Sequence, residues 1–581
     1  MEVYNFDYWN LQNKSFAGAK LYSASFVGAD LRHANFSQAD LRQTDFRRAN
    51  LYKANFSRSN VHRSFLHEAK LTGAIFDYAD FRGANFADFY LKETSFQHAR
   101  LQDANFRGAN LTQANFSASH LADANFRFAN LAESKFIKTR LEGTKLSQLN
   151  LKDADFSGSI LIDVTFVGST LEGADFTGAT LQNVTFTGVR LIDSDFTNAH
   201  ISDSDFTKAR LKGSDFTGAK LTNVILTDIN YPEPIFTQGS FHDMTFAELD
   251  LSMGNFREAK FYNSKFVRSS LLGSDFTDSY GDKLLFRHSD LSISDFTSAN
   301  FEKARFDSSN FQGVTREGMK FPKVVEPRTG TTFIQLPQSC YQMGDLFKEN
   351  RGFLTIPHLV CVDDFWLASA EVTQEVFVKI TGKNPSKFYN IEPKSPVEQV
   401  SIKDIFSFFK TINQNSKWQL RLPTEAEWEY ACRGLGHKVR FGSDSNNASP
   451  DQMAFSSSLK NGEQESKTVN GESIQSFGGN WKRTVPIDTF AANPLGFYNL
   501  SGNVSEVVAD YWDSKAYDSH ETLNPKIAKP TGNKFMVKRG GSFKNSASDL
   551  TCVKRAFITD TEPTEDTGFR LALSSPPKGA Q

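Results

Sequence analysis

The sequence predicts two architectures in one chain: a repeat solenoid over residues 1–312 and a mixed α+β domain over residues 331–577. Three observations carry this. A large residue recurs at every fifth position from Phe6 to Phe311 with no insertion or deletion. Most of the 55 phenylalanines lie before residue 315. Beyond that point come most of the prolines, all but one of the six tryptophans, all four cysteines and ordinary helix signals. Residues 313–330 read as a linker, and 578–581 as a short tail.

Of the 62 positions in the five-residue series, 58 are Phe or Leu; the exceptions are Val61, Ile201, Tyr231 and Gly281. Two residues before each centre the chain is usually small, as at Ala34, Ala39 and Thr44. Between them sits Asn or Asp, as at Asn35, Asp40 and Asp45. A period of five matches neither a helix nor a simple strand, which leaves a unit that stacks on its own repeats.

This array resembles the pentapeptide-repeat family. The resemblance implies a right-handed quadrilateral β-helix with four faces per coil, the large centre and the small residue pointing inward. Residues 20 apart then stack, and Asn and Asp are expected at the corners. Centres alternate Phe and Leu over long stretches, so stacked phenyl columns are expected on two opposite faces. Three irregularities stand out. Tyr231-Pro232-Glu233-Pro234 predicts a bulged coil near 227–235, Tyr280-Gly281-Asp282 a second departure, and Phe89 falls where a small residue belongs. The register stops after Phe311, and the following domain is expected to cover the last coil's edge.

Net charge is −2, so no strong overall field points to nucleic acid or membrane. The charge is uneven, however. Residues 1–150 carry 19 Lys/Arg against 14 Asp/Glu, and residues 151–250 carry 6 against 15. The acidic 151–250 surface is a candidate docking face for a basic partner; the alternative is that Asp there serves the polar corners. The repeat histidines are not in metal-ligand spacing and read as surface residues. No run of 18 apolar residues exists, and Met-Glu-Val-Tyr-Asn-Phe-Asp carries no secretory leader pattern. Cys340, Cys361, Cys432 and Cys552 are scattered without a CxxC. They suit free buried thiols, with a disulfide left open by spacing alone, and a cytoplasmic location is expected.

In the second part, Ser401–Asp404 and Thr424–Glu427 read as capping boxes that open helices. Gly540–Ser542 and Gly568–Arg570 read as turns beside strands. Ordered blocks follow one another: Tyr341-Gln-Met-Gly344, Phe365-Trp366, Glu371-Val372-Thr373, Pro396-Val-Glu-Gln-Val-Ser401 and Arg421-Leu-Pro-Thr-Glu-Ala-Glu-Trp-Glu-Tyr-Ala431. Asn499-Leu-Ser-Gly-Asn-Val-Ser-Glu506, Arg539-Gly-Gly-Ser-Phe543 and Gly568-Phe-Arg570 complete them. Together these are similar to the formylglycine-generating enzyme (sulfatase-modifying factor) family, which implies an α+β fold of the C-type-lectin-like kind.

The resemblance implies a copper ion held by two cysteines shortly after Gly-Gly-Ser. A gap-free superposition places Asn545 and Leu550 there, and neither supplies the thiolate that Cu(I) needs. Cys552 is near but alone, and reads as a core-strand residue. Related sulfoxide synthases use an iron-binding histidine cluster, whereas His358, His437 and His520 are far apart in sequence. No copper or iron is expected, and no catalytic residue is assigned. Calcium is the family cofactor that carries over. Its ligands by position are Asn499, Gly502, Val504 and Glu506, mostly through backbone oxygens. The alternative there is a turn with Glu506 in an ion pair. A second family site would include Glu371, but its asparagine falls near Phe455. The family's Gly-Asn-Val-Trp-Glu-Trp is Gly502-Asn503-Val504-Ser505-Glu506-Val507 here, which alters packing beneath the groove.

The expected function is a non-catalytic scaffold whose solenoid displays a lectin-like domain to a protein or small-ligand partner. One alternative is an oxidoreductase of the sulfatase-modifying-factor superfamily acting on a peptide or small metabolite. The other is a nucleic-acid mimic acting on a topoisomerase, which the basic first half disfavours.

Overall fold

The computed structural model describes residues 4–229, 231–348, 356–389, 392–457, 464–469, 472–477, 481–530, 534–559 and 562–577. The expected tail 578–581 lies outside them. Contacts divide the chain into two compact units, Met1–Tyr280 and Gly281–Gln581.

The first unit is a parallel β-solenoid. Bridges join residues 20 apart, as in Asn5 with Ser25 and Asn10 with Asp30. The strands Arg140–Glu142, Ile160–Ile162 and Thr180–Gln182 pair in parallel with the same offset. A five-residue repeat with a 20-residue ladder makes four faces per coil. Centres such as Phe26, Leu31, Phe36 and Leu41 are fully buried, as are the small residues Ala24, Ala29 and Ala34. The Phe columns form as the alternation requires: Phe96, Phe116 and Phe136 stack at 5.2 Å, and Phe106 meets Phe116 edge-on at 5.7 Å.

The corner residue is not the Asn or Asp that the repeat suggests. The left-handed backbone falls two residues after nearly every centre, at positions as varied as Tyr8, His33, Lys53, Phe128 and Met253. Asn and Asp occupy the bridge position before the centre and cap the turn. Asn35 Oδ1 accepts from Ser37 N at 3.0 Å, and Asp175 Oδ1 accepts from Thr177 N at 2.7 Å. The acidic bias of 151–250 follows partly from this duty, since Asp155, Asp195, Asp205 and Asp215 cap turns likewise. Asp also alternates with Asn in a corner column, where Asn183, Asn223 and Asn263 donate to Asp163, Asp203 and Asp243.

Near 227–235 the coil keeps its register instead of looping out. Tyr231 remains a buried centre whose hydroxyl donates to Ser214 O, and Ile235 bridges Asp215 and Asn255. Residue 230 is outside the described set. A different coil departs from the ladder. Residues 60–70 bond normally to the coil before, through Asn60, Phe65 and Lys70 N–H groups. Toward the coil after, no bridge joins Asn60 to Asp80, Phe65 to Asn85 or Lys70 to Tyr90 among the described residues, while Asn55–Ile75 and Ile75–Ser95 hold. Three faces are parted and the fourth is closed. Phe89 stands in this coil where other coils carry a small residue, and its side chain is only half-buried.

The second unit opens with the last coils. The segment expected as a linker continues the ladder: Thr315 bridges Asp295 and Lys320 bridges Asn300. Centres 316 and 321 are the buried Arg316 and Phe321, and the arginine hides the period from a search for apolar residues. Its Nη2 donates to Gly434 O at 2.7 Å and lies 3.7 Å from Asp444. Gly281 is a buried centre because a Cβ there would sit 2.9 Å from Leu284 and from Phe301. The expected cover over the last coil is present. Phe306 exchanges hydrogen bonds with the Gln335 side chain, Ser308 N donates to Asp364 Oδ1 at 2.9 Å, and Phe311 N donates to Gln338 O at 3.3 Å.

Eleven strands and three principal helices follow in chain order. They are β1 (Lys323–Val325), β2 (Thr332–Leu336), β3 (Ser339–Met343), β4 (His358–Val362), β5 (Phe365–Glu371), α1 (Gln374–Thr381), α2 (Ile402–Asn413) and α3 (Glu425–Cys432). Then come β6 (Gln464–Val469), β7 (Glu472–Phe477), β8 (Ser505–Tyr511), β9 (Met536–Arg539), β10 (Ala556–Ile558) and β11 (Thr567–Leu573). The main sheet runs β1-β2-β5-β11-β8-β9-β10, with β8 and β11 parallel. Both capping boxes form, and α2 packs Ile405, Phe408 and Ile412 into a core with Trp366, Trp418 and Phe569. Gly568 lies inside β11 rather than in a turn, because a Cβ there would meet Val397 O at 2.6 Å.

Candidate functional site

Three ionic layers lie in the interior of the second unit. Glu425 and Glu429, from the Thr-Glu-Ala-Glu-Trp-Glu run, sit fully buried on α3. Glu425 pairs with Arg539 at 3.1 Å and with Arg555 at 2.7 Å. Glu429 pairs with Arg539 and, at 3.1 Å, with Arg433. Asp510 then accepts from Glu425 N and Ile527 N at 2.7 Å, and burial pushes its carboxyl up to about 7. These residues fasten α3 to the sheet; buried charges of this kind are tolerated only when paired.

The third layer is the one nearest the sequence-predicted site. Glu506 accepts from Arg570 Nη2 at 2.7 Å and Nε at 2.9 Å, and from Trp428 Nε1 at 2.8 Å. The remaining Arg570 donors reach Ala368 O and Tyr498 O. Beside it Glu371 accepts from Asn499 Nδ2 at 3.0 Å and Asn503 Nδ2 at 3.2 Å. Burial pushes the Glu371 carboxyl up to about 7; Arg570 opposes that rise and Glu506 adds to it. A cavity of about 180 Å³ lined by Ser369, Glu371, Thr373 and Ile487 reaches this layer from outside.

The residues of the calcium set are otherwise engaged in this structure. Asn499 and Gly502 have left-handed backbones, Val504 is buried, and Gly502 N donates to Gly540 O. Asn499 does leave a buried Oδ1 without a partner. Yet Glu506, the one carboxylate of the set, is already neutralised by Arg570, and a divalent ion on it would face a guanidinium. The ion-pair reading of Glu506 is the one realised. Phe455 is a core residue beside Leu550, not a ligand position.

The two positions that would hold copper thiolates are structural as well. Asn545 Oδ1 accepts from Ser542 N at 2.9 Å and Ser542 Oγ at 2.7 Å, closing the turn after Gly541. Leu550 is fully buried against Phe441, Met453 and Phe455.

The cysteines correct the free-thiol expectation. Cys340–Cys361 bridges directly opposed residues of β3 and β4, and Cys432–Cys552 ties the end of α3 to the loop before β10. Partners 21 and 120 residues apart cannot be paired from spacing alone. Sequence reading also missed a histidine pair. His358 Nε2 meets His520 Nδ1 at 3.1 Å beside Tyr517, and burial pushes His520 down to about 4. Their separation of 162 residues left no signal. His437 is not part of the pair. Among the described residues, no three His, Cys, Asp or Glu side chains gather as a metal site.

Comparison with known proteins agrees with both halves. The sulfatase-modifying factor enzyme 1-like domain matches residues 320–575, and pentapeptide-repeat models match 5–73, 59–136, 159–236 and 285–314. The chain belongs to the sulfatase-modifying factor family, with a pentapeptide-repeat array preceding that domain. The formylglycine-generating enzyme of Mus musculus is 36% identical over 160 residues, 27% of this chain and 40% of that protein. The chain thus spans less than half of the mouse enzyme's length. Chaperone protein LppX of Paenibacillus barcinonensis is 30% identical over 239 residues, 35% of this chain and 78% of that one. Among solved structures, HetL, a pentapeptide-repeat protein of the cyanobacterium Nostoc, is 26% identical over 41% of this chain and 92% of its own, with a TM-score of 0.22.

Proposed function

We propose that the protein is a non-catalytic scaffold in which the repeat array carries a recognition domain built on an enzyme frame. The observation that supports this most is the fate of Asn545 and Leu550. One closes a turn and the other fills the core, so the soft-metal donors of the oxidase chemistry have been exchanged for structural residues. The neighbouring Cys552 is tied to Cys432 and offers no thiolate. The retained Glu-Arg layers are compatible with the same reading, because their donors and acceptors are spent on holding the sheet and helix together. The partner in this reading is a protein or small ligand at the second unit. The acidic 151–250 surface is open to a basic partner, even though its Asp residues also cap turns.

The reading is tested on the purified full chain by metal analysis together with oxygen consumption over cysteine-containing peptides. Neither stoichiometric copper nor turnover is expected. Turnover would replace the scaffold with an oxidoreductase, and inhibition of gyrase supercoiling would replace it with the topoisomerase-directed mimic.

A further inference from the structure

The parted coils at 60–90 leave a slot with a defined chemistry. Val61, Arg63, Leu66, Glu68 and Leu71 point their N–H groups at the coil that follows, and none has a hydrogen-bond partner among the described residues. Across the gap, the N–H groups of Asp80, Asn85 and Tyr90 have no partner among the described residues either. One coil earlier, the equivalent Leu41, Gln43, Phe46, Arg48 and Leu51 all bond, at 2.8–3.1 Å. Unpaired main-chain edges of this kind are templates for strand addition.

The slot is also roomy, apolar at its mouth and basic. It encloses about 600 Å³ over the faces 61–67 and 80–87. Phe65 stands 55% exposed at its edge. Arg47, Arg63 and Arg82 line it; Arg47 is paired with Asp45 and Arg82 with Asp80, whereas Arg63 makes no ion pair among the described residues.

The same chain displays what satisfies such an edge. At the last coil the corresponding N–H groups, Phe306, Ser308 and Phe311, are taken by the Gln335 side chain, the Asp364 carboxylate and Gln338 O. There an amide side chain, a carboxylate and a main-chain carbonyl close the ladder.

We propose that the slot between coils 61–70 and 80–90 docks a short extended acidic segment of a partner protein by strand addition. The occupant's carbonyls accept from Val61, Arg63 and Leu66 N–H, a carboxylate meets Arg63, and an apolar side chain covers Phe65. Phe89 holds the slot open, since the alanine usual at its position would let the coils close.

The test uses the full chain. Hydrogen exchange should be about tenfold faster at Val61, Arg63, Leu66 and Glu68 than at Leu41, Gln43, Phe46 and Arg48. Equal protection would mean that the slot is closed, and would end the proposal. Fluorescence anisotropy then uses a labelled peptide of alternating valine and aspartate, its lysine counterpart and its backbone N-methylated form. The acidic peptide should bind about tenfold tighter than either control. Phe89→Ala should restore amide protection and cost about tenfold in binding, and Arg63→Glu should weaken binding with protection unchanged. Equal binding of the acidic and basic peptides, retained binding of the N-methylated form, or an unchanged Phe89→Ala variant each overturns it. So does concentration-dependent dimerisation that excludes the peptide, which would give the slot to a second copy of this chain.

Discussion

Glu371 and Ile293 show what single residues bear. Burial pushes the Glu371 carboxyl from its ordinary value of 4.5 up to about 7, with Arg570 opposing the rise and Glu506 adding to it. A carboxyl that holds its proton more tightly when folded stabilises fully below the unfolded value, and that contribution is lost as pH rises through 7. Urea denaturation of the full chain should therefore show stability falling between about pH 4.5 and 7. Glu371→Gln should remove part of that slope and leave the share due to Asp510; an unchanged slope would clear Glu371 of the role. Ile293 is a β-branched residue at a left-handed corner, 61% exposed. Ile293→Asn should raise stability by about 1 kcal/mol, read as a higher urea midpoint at constant slope. Little of this was legible in the sequence. The corners take almost any side chain, so composition does not mark them. Glu371 was visible as part of an ordered family block and of a second family calcium site.

At the scale of elements, local signals read well and distant ones did not. The capping boxes at Ser401 and Thr424 need only four consecutive residues, and both appear as drawn. The Phe and Leu columns follow from a period that survives without an insertion. Gly568 was misread because its glycine is required by Val397 O across the fold, not by a turn. The calcium segment was legible as a motif, but the guanidinium that neutralises Glu506 arrives from β11, 64 residues later. Millimolar calcium or a chelator should accordingly leave the unfolding midpoint of the full chain unchanged; a calcium-dependent rise would show that Arg570 yields to the ion. The Cys432–Cys552 bond closes a 120-residue span. Replacing both cysteines by alanine should cost about 4 kcal/mol, seen as a lower denaturant midpoint, with reductant then acting only through Cys340–Cys361.

Across the whole molecule, the two units follow different rules of stability. Within Gly281–Gln581 the final coils share hydrogen bonds with β2 and the loop before β5, so Gln335→Ala should release the Phe306 edge. Hydrogen exchange should then rise about tenfold at Phe306 N while the corresponding amides of the first unit stay protected. A variant with intact protection would place the seal elsewhere. In the first unit the fold reads chiefly the centre, the small residue before it and the capping Asn or Asp. The left-handed corner position is read only loosely: beside glycine, asparagine and aspartate, residues as different as tyrosine, histidine, lysine, phenylalanine and methionine stand there. Each coil thus offers corner sites whose identity can drift without rewriting the scaffold. The basic first half and the acidic stretch after it are changes of wording on an unchanged grammar, and partner choice in such an array can evolve faster than its architecture.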